Sequence, residues 1–187
     1  MDNGRTMETH WPETCKVMEV LTRKLVKYDT DGMELYFTDP ATSTAILPRV
    51  NGQYKDFIQA TKLAAPSSQR GHNTDIVPKL TELMNKYFLD LRRDWPKSAR
   101  MRTIYVLTDG IWAASTDRSV DDFFCYQLRR LHESCQSDTS SNYVSQDGER
   151  KKIVRPLTVQ FIQLGFDADA TQRFKRLDEQ FVLGGYK

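Results

Sequence analysis

The stretch TIYVLTDG, residues 103–110, decides the fold of this chain. Its first six residues form a nearly continuous run of β-branched, aromatic and aliphatic side chains, about as long as one strand. An apolar run of this kind indicates a strand that is covered on both faces, as in a parallel sheet between two layers of helices. Asp109 and Gly110 then end the strand with a turn.

Similar patterns on either side of this strand extend the prediction. A second interior strand is predicted from Leu157 to Leu164, and a shorter aromatic strand from Met33 to Thr38. Elsewhere apolar residues recur at steps of three and four, which predicts helices near residues 11–28, 53–63, 74–92, 120–131 and 170–181. A short edge strand is expected near residues 45–50. This alternation predicts an α/β fold with a doubly wound, mainly parallel sheet and helices on both faces.

Length and composition limit the classes of protein that the chain can represent. Its 187 residues, 39% of them hydrophobic and 28% charged, predict one domain over 1–187, with residues 137–152 as a long polar surface loop. The net charge of +2 makes no case for nucleic acid or an anionic membrane. Three cysteines without CxxC spacing suggest neither a disulfide framework nor a zinc site. With no membrane span or secretory signal in the sequence, a cytoplasmic protein is expected.

Candidate functional residues follow the predicted strands, because ligands of doubly wound sheets bind at the carboxyl ends of the strands. Three segments compete for this place: residues 2–7, 71–74 and 108–110.

Together with their surroundings, these segments resemble the von Willebrand factor A domain family, specifically its intracellular fungal-type branch. The resemblance covers essentially the whole chain. Its motifs stand in family order: the opening Asp2-x-Gly4-x-Thr6-Met7 followed by Trp11, the turn at 28–32 into the aromatic strand, Thr74, the strand end VLTDG at 106–110, and VQFIQLG at 159–165 with Leu177-Asp178 beyond it.

The resemblance implies a metal-ion-dependent adhesion site, in which Mg²⁺ or Mn²⁺ is held by hydroxyls and carboxylates from three loops. Asp2 and Thr6 match the first loop, Thr74 the second and Asp109 the third. Gly4 stands where the family usually has a serine that binds the metal directly, so a degenerate site is expected. The rim of the site is expected at Gly4, His72 and Gly110.

The resulting functional hypothesis is a protein-binding module that takes an acidic side chain of another protein, without nucleic acid, membrane or catalysis. A small hard cation prefers about six oxygens, so a partner carboxylate would complete its coordination. The chain contains no G-x-G-x-x-G, Walker or G-x-S-x-G motif that would indicate an enzyme. Two alternatives stay open: a Mg²⁺-dependent hydrolase or phosphatase using Asp2 or Asp31, and a metal-free structural module.

The family comparison also predicts that the chain is truncated at both ends. In the family an apolar strand at the sheet centre precedes the opening aspartate, whereas only Met1 precedes Asp2 here. The chain also ends where the family continues into an edge strand. The strands at 33–38 and 103–108 are therefore expected to flank a gap or to close imperfectly, with Asp2 and Thr6 poorly fixed at a mobile terminus.

Overall fold

The computed structural model of this protein describes residues 1–25, 33–42, 54–67, 72–94, 102–136 and 157–180. The elements in these ranges are a 3₁₀-helix (Arg5–His10), α1 (Trp11–Leu25), α2 (Tyr54–Leu63), α3 (Ile76–Asp94), β1 (Arg102–Thr108), α4 (Asp117–Gln136), β2 (Leu157–Gln163) and α5 (Ala168–Gln180). The expected turn at 28–32, the edge strand near 45–50 and the polar loop 137–152 lie outside the described residues.

The described sheet consists of β1 and β2, which pair in parallel. Arg102 lies opposite Leu157, and Thr108 lies opposite Gln163. The two interior strands and the predicted helices are confirmed, with ends that differ by a few residues. A mixed arrangement of helices and parallel strands is therefore present, and its described sheet has two strands. The helices in the described ranges are each too short or too polar to cross a membrane.

Strand β1 is covered on both faces, as its apolar run predicts. Val106 packs into one core with α3 and α4, and the adjacent Leu107 packs into a second core with α1, α2 and the 3₁₀-helix. Successive side chains of a strand point to opposite faces, so one strand supplies both cores. The first core contains Ile76, Leu80, Met84, Tyr87, Phe88, Val106, Trp112, Val120 and Phe123. The second contains Met7, Trp11, Leu35, Phe37, Phe57, Ala60, Ala64, Leu107 and Leu164.

The segment predicted as a strand from Met33 to Thr38 is not a strand in the structure. Among the described residues its backbone pairs with Met1: the Met1 amino group donates to the Tyr36 carbonyl at 2.7 Å, and the Thr38 amide donates to the Met1 carbonyl at 3.1 Å. One paired residue is too short a ladder for a regular strand. Leu35 and Phe37 are nevertheless buried in the second core, so the aromatic pattern did identify a segment packed against the sheet.

Met1 and Asp2 lie between this segment and β1. On the side facing β1, the Asp2 amide donates to the Leu107 carbonyl at 2.9 Å. The expected gap between the two segments is thus bridged by two residues, each hydrogen-bonded to one neighbour. This bridge places the side chain of Asp2 at the carboxyl end of β1.

Candidate functional site

Asp2 is the centre of the candidate site. Its side chain is completely buried and accepts hydrogen bonds at both carboxylate oxygens. Oδ1 accepts from the Gly4 amide at 2.9 Å and from the Thr74 hydroxyl at 2.7 Å, and Oδ2 accepts from the Thr108 hydroxyl at 2.7 Å. The expectation of a poorly fixed Asp2 is therefore wrong, because these donors hold its carboxylate in place.

Thr108 connects Asp2 to the turn that follows β1. Its hydroxyl oxygen accepts from the Gly110 amide at 3.0 Å and from the Trp112 indole Nε1 at 2.9 Å. Both lone pairs of the hydroxyl are then occupied, so its single proton is directed to Asp2. Sequence reasoning included Thr108 in the segment 108–110 but assigned it no role in the site.

Thr74 belongs to the second loop, and its role differs from that of a helix cap. The neighbouring Asp75 caps α3, since its Oδ1 accepts from the Val77 amide at 3.1 Å. This leaves the Thr74 hydroxyl free to donate to Asp2, 72 positions away in the chain. Thr74 is therefore not the N-cap of α3.

Gly4 provides the space that the Thr74 hydroxyl occupies. Its φ of −67° and ψ of 170° suit any residue, so the backbone does not require glycine here. A Cβ atom at this position would overlap Thr74 Oγ1, and it would lie 3.2 Å from Asp2 Oδ1. The Thr74 hydroxyl thus fills the place of the side chain that Gly4 lacks.

Asp109 and Thr6 contribute buried oxygen atoms that have no hydrogen-bond partner within the described part of the chain: Asp109 Oδ2 and Thr6 Oγ1. Burial raises the pKa of Asp109, while the nearby Thr6 hydroxyl and the Ile111 amide act in the opposite direction. Thr6 is close enough to influence this pKa, but the two oxygens do not meet hydrogen-bond geometry. Buried polar atoms are rarely left without a partner, so this pair indicates a place for a ligand.

The side chain of Asn3 connects the first loop to neighbouring segments by hydrogen bonds. Its Oδ1 accepts from the Asp39 amide at 2.9 Å, and its Nδ2 donates to the Ala64 carbonyl at 3.3 Å. The Thr38 hydroxyl lies 3.3 Å from Asp2 Oδ1 and 3.2 Å from Asn3 Oδ1, so it can donate to either. Asn3 lay in the segment 2–7 that sequence reasoning considered, but neither Asn3 nor Thr38 was predicted as a site residue. Thr38, like Thr108, follows an apolar extended segment.

The third loop is held from two sides. The Asp109 amide donates to Met7 Sδ at 3.1 Å, and the Gly110 carbonyl accepts from the Arg173 guanidinium of α5. Gly110 has a φ of +80°, and a Cβ there would lie 2.6 Å from Ala170 Cβ. Glycine is therefore required at this turn both by its backbone conformation and by the close approach of α5.

The four predicted ligand residues are brought together: Asp2 contacts Thr74 directly, and Asp109 lies near Thr6. At the predicted rim, the His72 carbonyl accepts from the Arg5 amide at 3.0 Å, and His72 Nε2 is buried without a partner in the described ranges. No three His, Cys, Asp or Glu side chains converge as a metal-binding group among the described residues. A cation at this site would therefore depend on the threonine hydroxyls as well as on the carboxylates.

Comparison with known proteins returned no matching family model, curated protein or solved structure.

Proposed function

We propose that this chain is a protein-binding module of von Willebrand factor A type, with a degenerate metal-ion-dependent adhesion site at the carboxyl edge of its sheet. The observation that carries the proposal is a pair of buried oxygens, Thr6 Oγ1 and Asp109 Oδ2, that lack a hydrogen-bond partner among the described residues. They lie beside Asp2, whose two carboxylate oxygens both accept hydrogen bonds. A ligand that supplies positive charge between these two oxygens would satisfy both of them.

The proposal includes a doubly wound sheet, of which the described strands β1 and β2 would form a part. Its support is the order of hydrogen-bonded backbone segments, in which residues 33–38 bond to Met1, Asp2 bonds to β1, and β1 pairs with β2. Helices cover both faces of β1. In such a sheet the first, second and third loops all meet at one edge, where the candidate site lies.

The residues present fit Mg²⁺ or Mn²⁺ by their chemistry, because hydroxyl and carboxylate oxygens are the ligands that these hard cations prefer. Thr6 and Asp109 would bind the ion directly, and Thr74 would join them through a lone pair of its hydroxyl oxygen while its proton stays directed at Asp2. Asp2 would not bind the ion directly, because both of its carboxylate oxygens already accept hydrogen bonds; it would instead hold the residues that donate to it in position. The bound ion would supply an electrophilic position for an acidic side chain of another protein.

The alternative of a hydrolase receives less support from the geometry. Asp2 is completely buried, and both of its oxygens accept hydrogen bonds, so it is poorly placed to attack a phosphate. Asp31 lies outside the described residues. We therefore retain the binding module as the proposal.

Weak binding of Mn²⁺ is the expected result of titrating the protein with this ion. Thr6→Ala and Asp109→Asn should each weaken Mn²⁺ binding at least about tenfold, a loss of about 1.4 kcal/mol, because each removes a direct oxygen ligand or its charge. Electron paramagnetic resonance of free Mn²⁺ would measure the affinity. Thr9→Ala, at an exposed position of the 3₁₀-helix, is the matched control. Equal Mn²⁺ affinity in the wild type and in both site variants would contradict the proposed site.

Replacing Gly4 by serine and by alanine separates the effect of space from the effect of the hydroxyl. Both side chains should displace the Thr74 hydroxyl from Asp2, which costs about 1 kcal/mol of stability when nothing replaces the lost hydrogen bond. Only serine adds a third hydroxyl, so Gly4→Ser should bind Mn²⁺ about tenfold more tightly than Gly4→Ala. If the two variants bind Mn²⁺ alike, the missing serine is not what makes this site degenerate.

A further inference from the structure

Strand β1 has backbone groups that point away from β2 and lack a partner. The Thr108 carbonyl bonds to the residue that follows β2, whereas the Leu107 carbonyl bonds to the Asp2 amide on the opposite side. Backbone groups alternate in direction along a strand, so those of Tyr105 and Thr103 point to the same side as the Leu107 carbonyl. In the described part of the chain no backbone hydrogen bond reaches them there. We call these groups of Thr103 and Tyr105 the open edge of β1.

The burial of β1 changes where the bridge formed by Met1 and Asp2 ends. The last three residues of the strand, which lie nearest to this bridge, are buried. Ile104 and Tyr105 are only partly buried, and Thr103 is exposed. The apolar run of β1 is typical of a strand covered along its whole length. The open edge therefore borders a place that no described residue fills.

The bridge shows that this place is one strand wide at its upper end. Met1 bonds to the Tyr36 carbonyl and to the Thr38 amide on one side, and Asp2 bonds to β1 on the other. Two residues thus meet both neighbours with ordinary backbone hydrogen bonds, as a central strand of a parallel sheet does. An extended segment of about four residues would continue this bridge beside residues 103–106.

The side chains of such a segment would meet both hydrophobic cores. Ile104 packs against the first core and Tyr105 against the second, and both are only partly buried. Met33, which begins the segment on the other side, is also partly buried against the second core. Successive residues of a strand point to opposite faces, so both faces of the added segment would cover apolar surface. Apolar and β-branched residues suit this position.

The Met1 amino group stands at the upper end of the place and has a donor to spare. It is a buried group that carries at least two protons, whether it is charged or neutral. One of them goes to the Tyr36 carbonyl at 2.7 Å, and no second acceptor is found within the described ranges. Buried donors are rarely left without a partner. A carboxylate that arrives along the open edge would accept the remaining N–H.

We propose that the open edge of β1 binds the C-terminal tail of another protein. The tail is an extended apolar segment that runs parallel to β1 and ends with its carboxylate at the Met1 amino group. Addition of a strand to free backbone groups and capture of a terminal carboxylate are both known modes of peptide recognition. A segment in the opposite direction would bring its own amino group to Met1, so that donor would face donor. The inference uses none of the oxygens of the proposed adhesion site.

Three N-acetylated hexapeptides test this inference with the wild-type chain. The first is Lys-Gly-Val-Ile-Val-Val with a free carboxylate, the second is the same sequence with a C-terminal amide, and the third is Lys-Gly-Ser-Thr-Ser-Ser with a free carboxylate. Nuclear magnetic resonance titration of the chain gives their dissociation constants. We expect the apolar acid to bind at least fivefold more tightly than its amide, and at least tenfold more tightly than the polar acid.

Two substitutions of Thr103 locate the binding. Thr103→Pro removes an amide N–H of the open edge and leaves the hydrogen bonds between β1 and β2 in place, so it should weaken binding of the apolar acid at least fivefold. Thr103→Ala keeps this N–H and is the matched control, which should bind like the wild type. Acetylation of Met1 is a second variant that does not alter β1, and it should abolish the preference for the acid over the amide.

The contrary outcomes are distinct. Equal binding of the apolar acid and its amide would overturn the C-terminal tail as the occupant. Equal binding of the apolar and polar acids, or no binding of any peptide, would overturn the inference as a whole. Self-association of the wild-type chain that Thr103→Pro abolishes, without peptide binding, would assign the open edge to a second copy of this chain and would also overturn the inference.

Discussion

Asp2→Asn is expected to destabilise the protein by about 1 to 3 kcal/mol, although the two side chains have nearly the same size. The Thr108 hydroxyl oxygen already accepts two hydrogen bonds, so it has no lone pair for an amide N–H. If the Asn amide nitrogen instead takes the Oδ1 position, it faces the Gly4 amide, which is also a donor. Either orientation leaves a buried donor against a donor, and Asp2→Ala, which removes all acceptors, should cost more.

Urea denaturation of the variants measures this effect. Asp122→Asn on α4 is the matched control, because its side chain is largely exposed and its ion pair with Arg118 is long, at 3.8 Å. Exposed pairs of this kind contribute little to stability. If the free energy of unfolding falls equally in Asp2→Asn and Asp122→Asn, the two hydrogen bonds that the Thr108 hydroxyl oxygen accepts do not determine which side chain is tolerated at position 2.

Lowering the pH from 8 to 6 is expected to destabilise this chain by about 1 to 3 kcal/mol through the Met1 amino group. Burial lowers the pKa of this group from 8.0 to about 6, with the attraction of Asp2 acting in the opposite direction. The unfolded chain therefore binds a proton near pH 8, whereas the folded chain binds it only near pH 6. Between these values the unfolded state holds more protons, so stability rises with pH across this window.

Acetylation of the Met1 amino group isolates this contribution. The acetylated nitrogen keeps one N–H that can donate to the Tyr36 carbonyl, as a strand amide would, but it cannot carry a charge. Thermal unfolding of the acetylated chain should lose much of its dependence on pH between 6 and 8. An unchanged dependence would show that other groups cause it.

Sequence reasoning identified the parts of the fold that local pattern determines. The apolar run of β1 predicted a strand covered on both faces, because that pattern reflects burial alone. The segment 33–38 is buried but lacks a regular ladder of backbone hydrogen bonds. Its aromatic pattern predicted a strand, but a strand also needs a paired neighbour, and here the described neighbour is Met1. Backbone pairing between distant segments cannot be read from a pattern of side chains.

The candidate site was predictable to a similar extent. Asp2, Thr6, Thr74 and Asp109 came from a family resemblance and lie together in the structure, whereas their functions as ligands stay a prediction. The hydrogen bond from the Thr108 hydroxyl to Asp2 was not predictable, since it depends on which hydroxyl meets which carboxylate oxygen. The choice between Thr74 and Asp75 as the cap of α3 was also a matter of geometry.

The carboxylate of Asp2 has a consequence for how this protein reaches its folded state. It joins residues separated from it by 36, 72 and 106 positions. Closing loops of this length costs chain entropy before any of the hydrogen bonds can form, whereas the helices α1 to α5 need only local contacts. The hydrogen bonds of the site therefore depend on long-range contacts, and we expect the site to assemble late in folding.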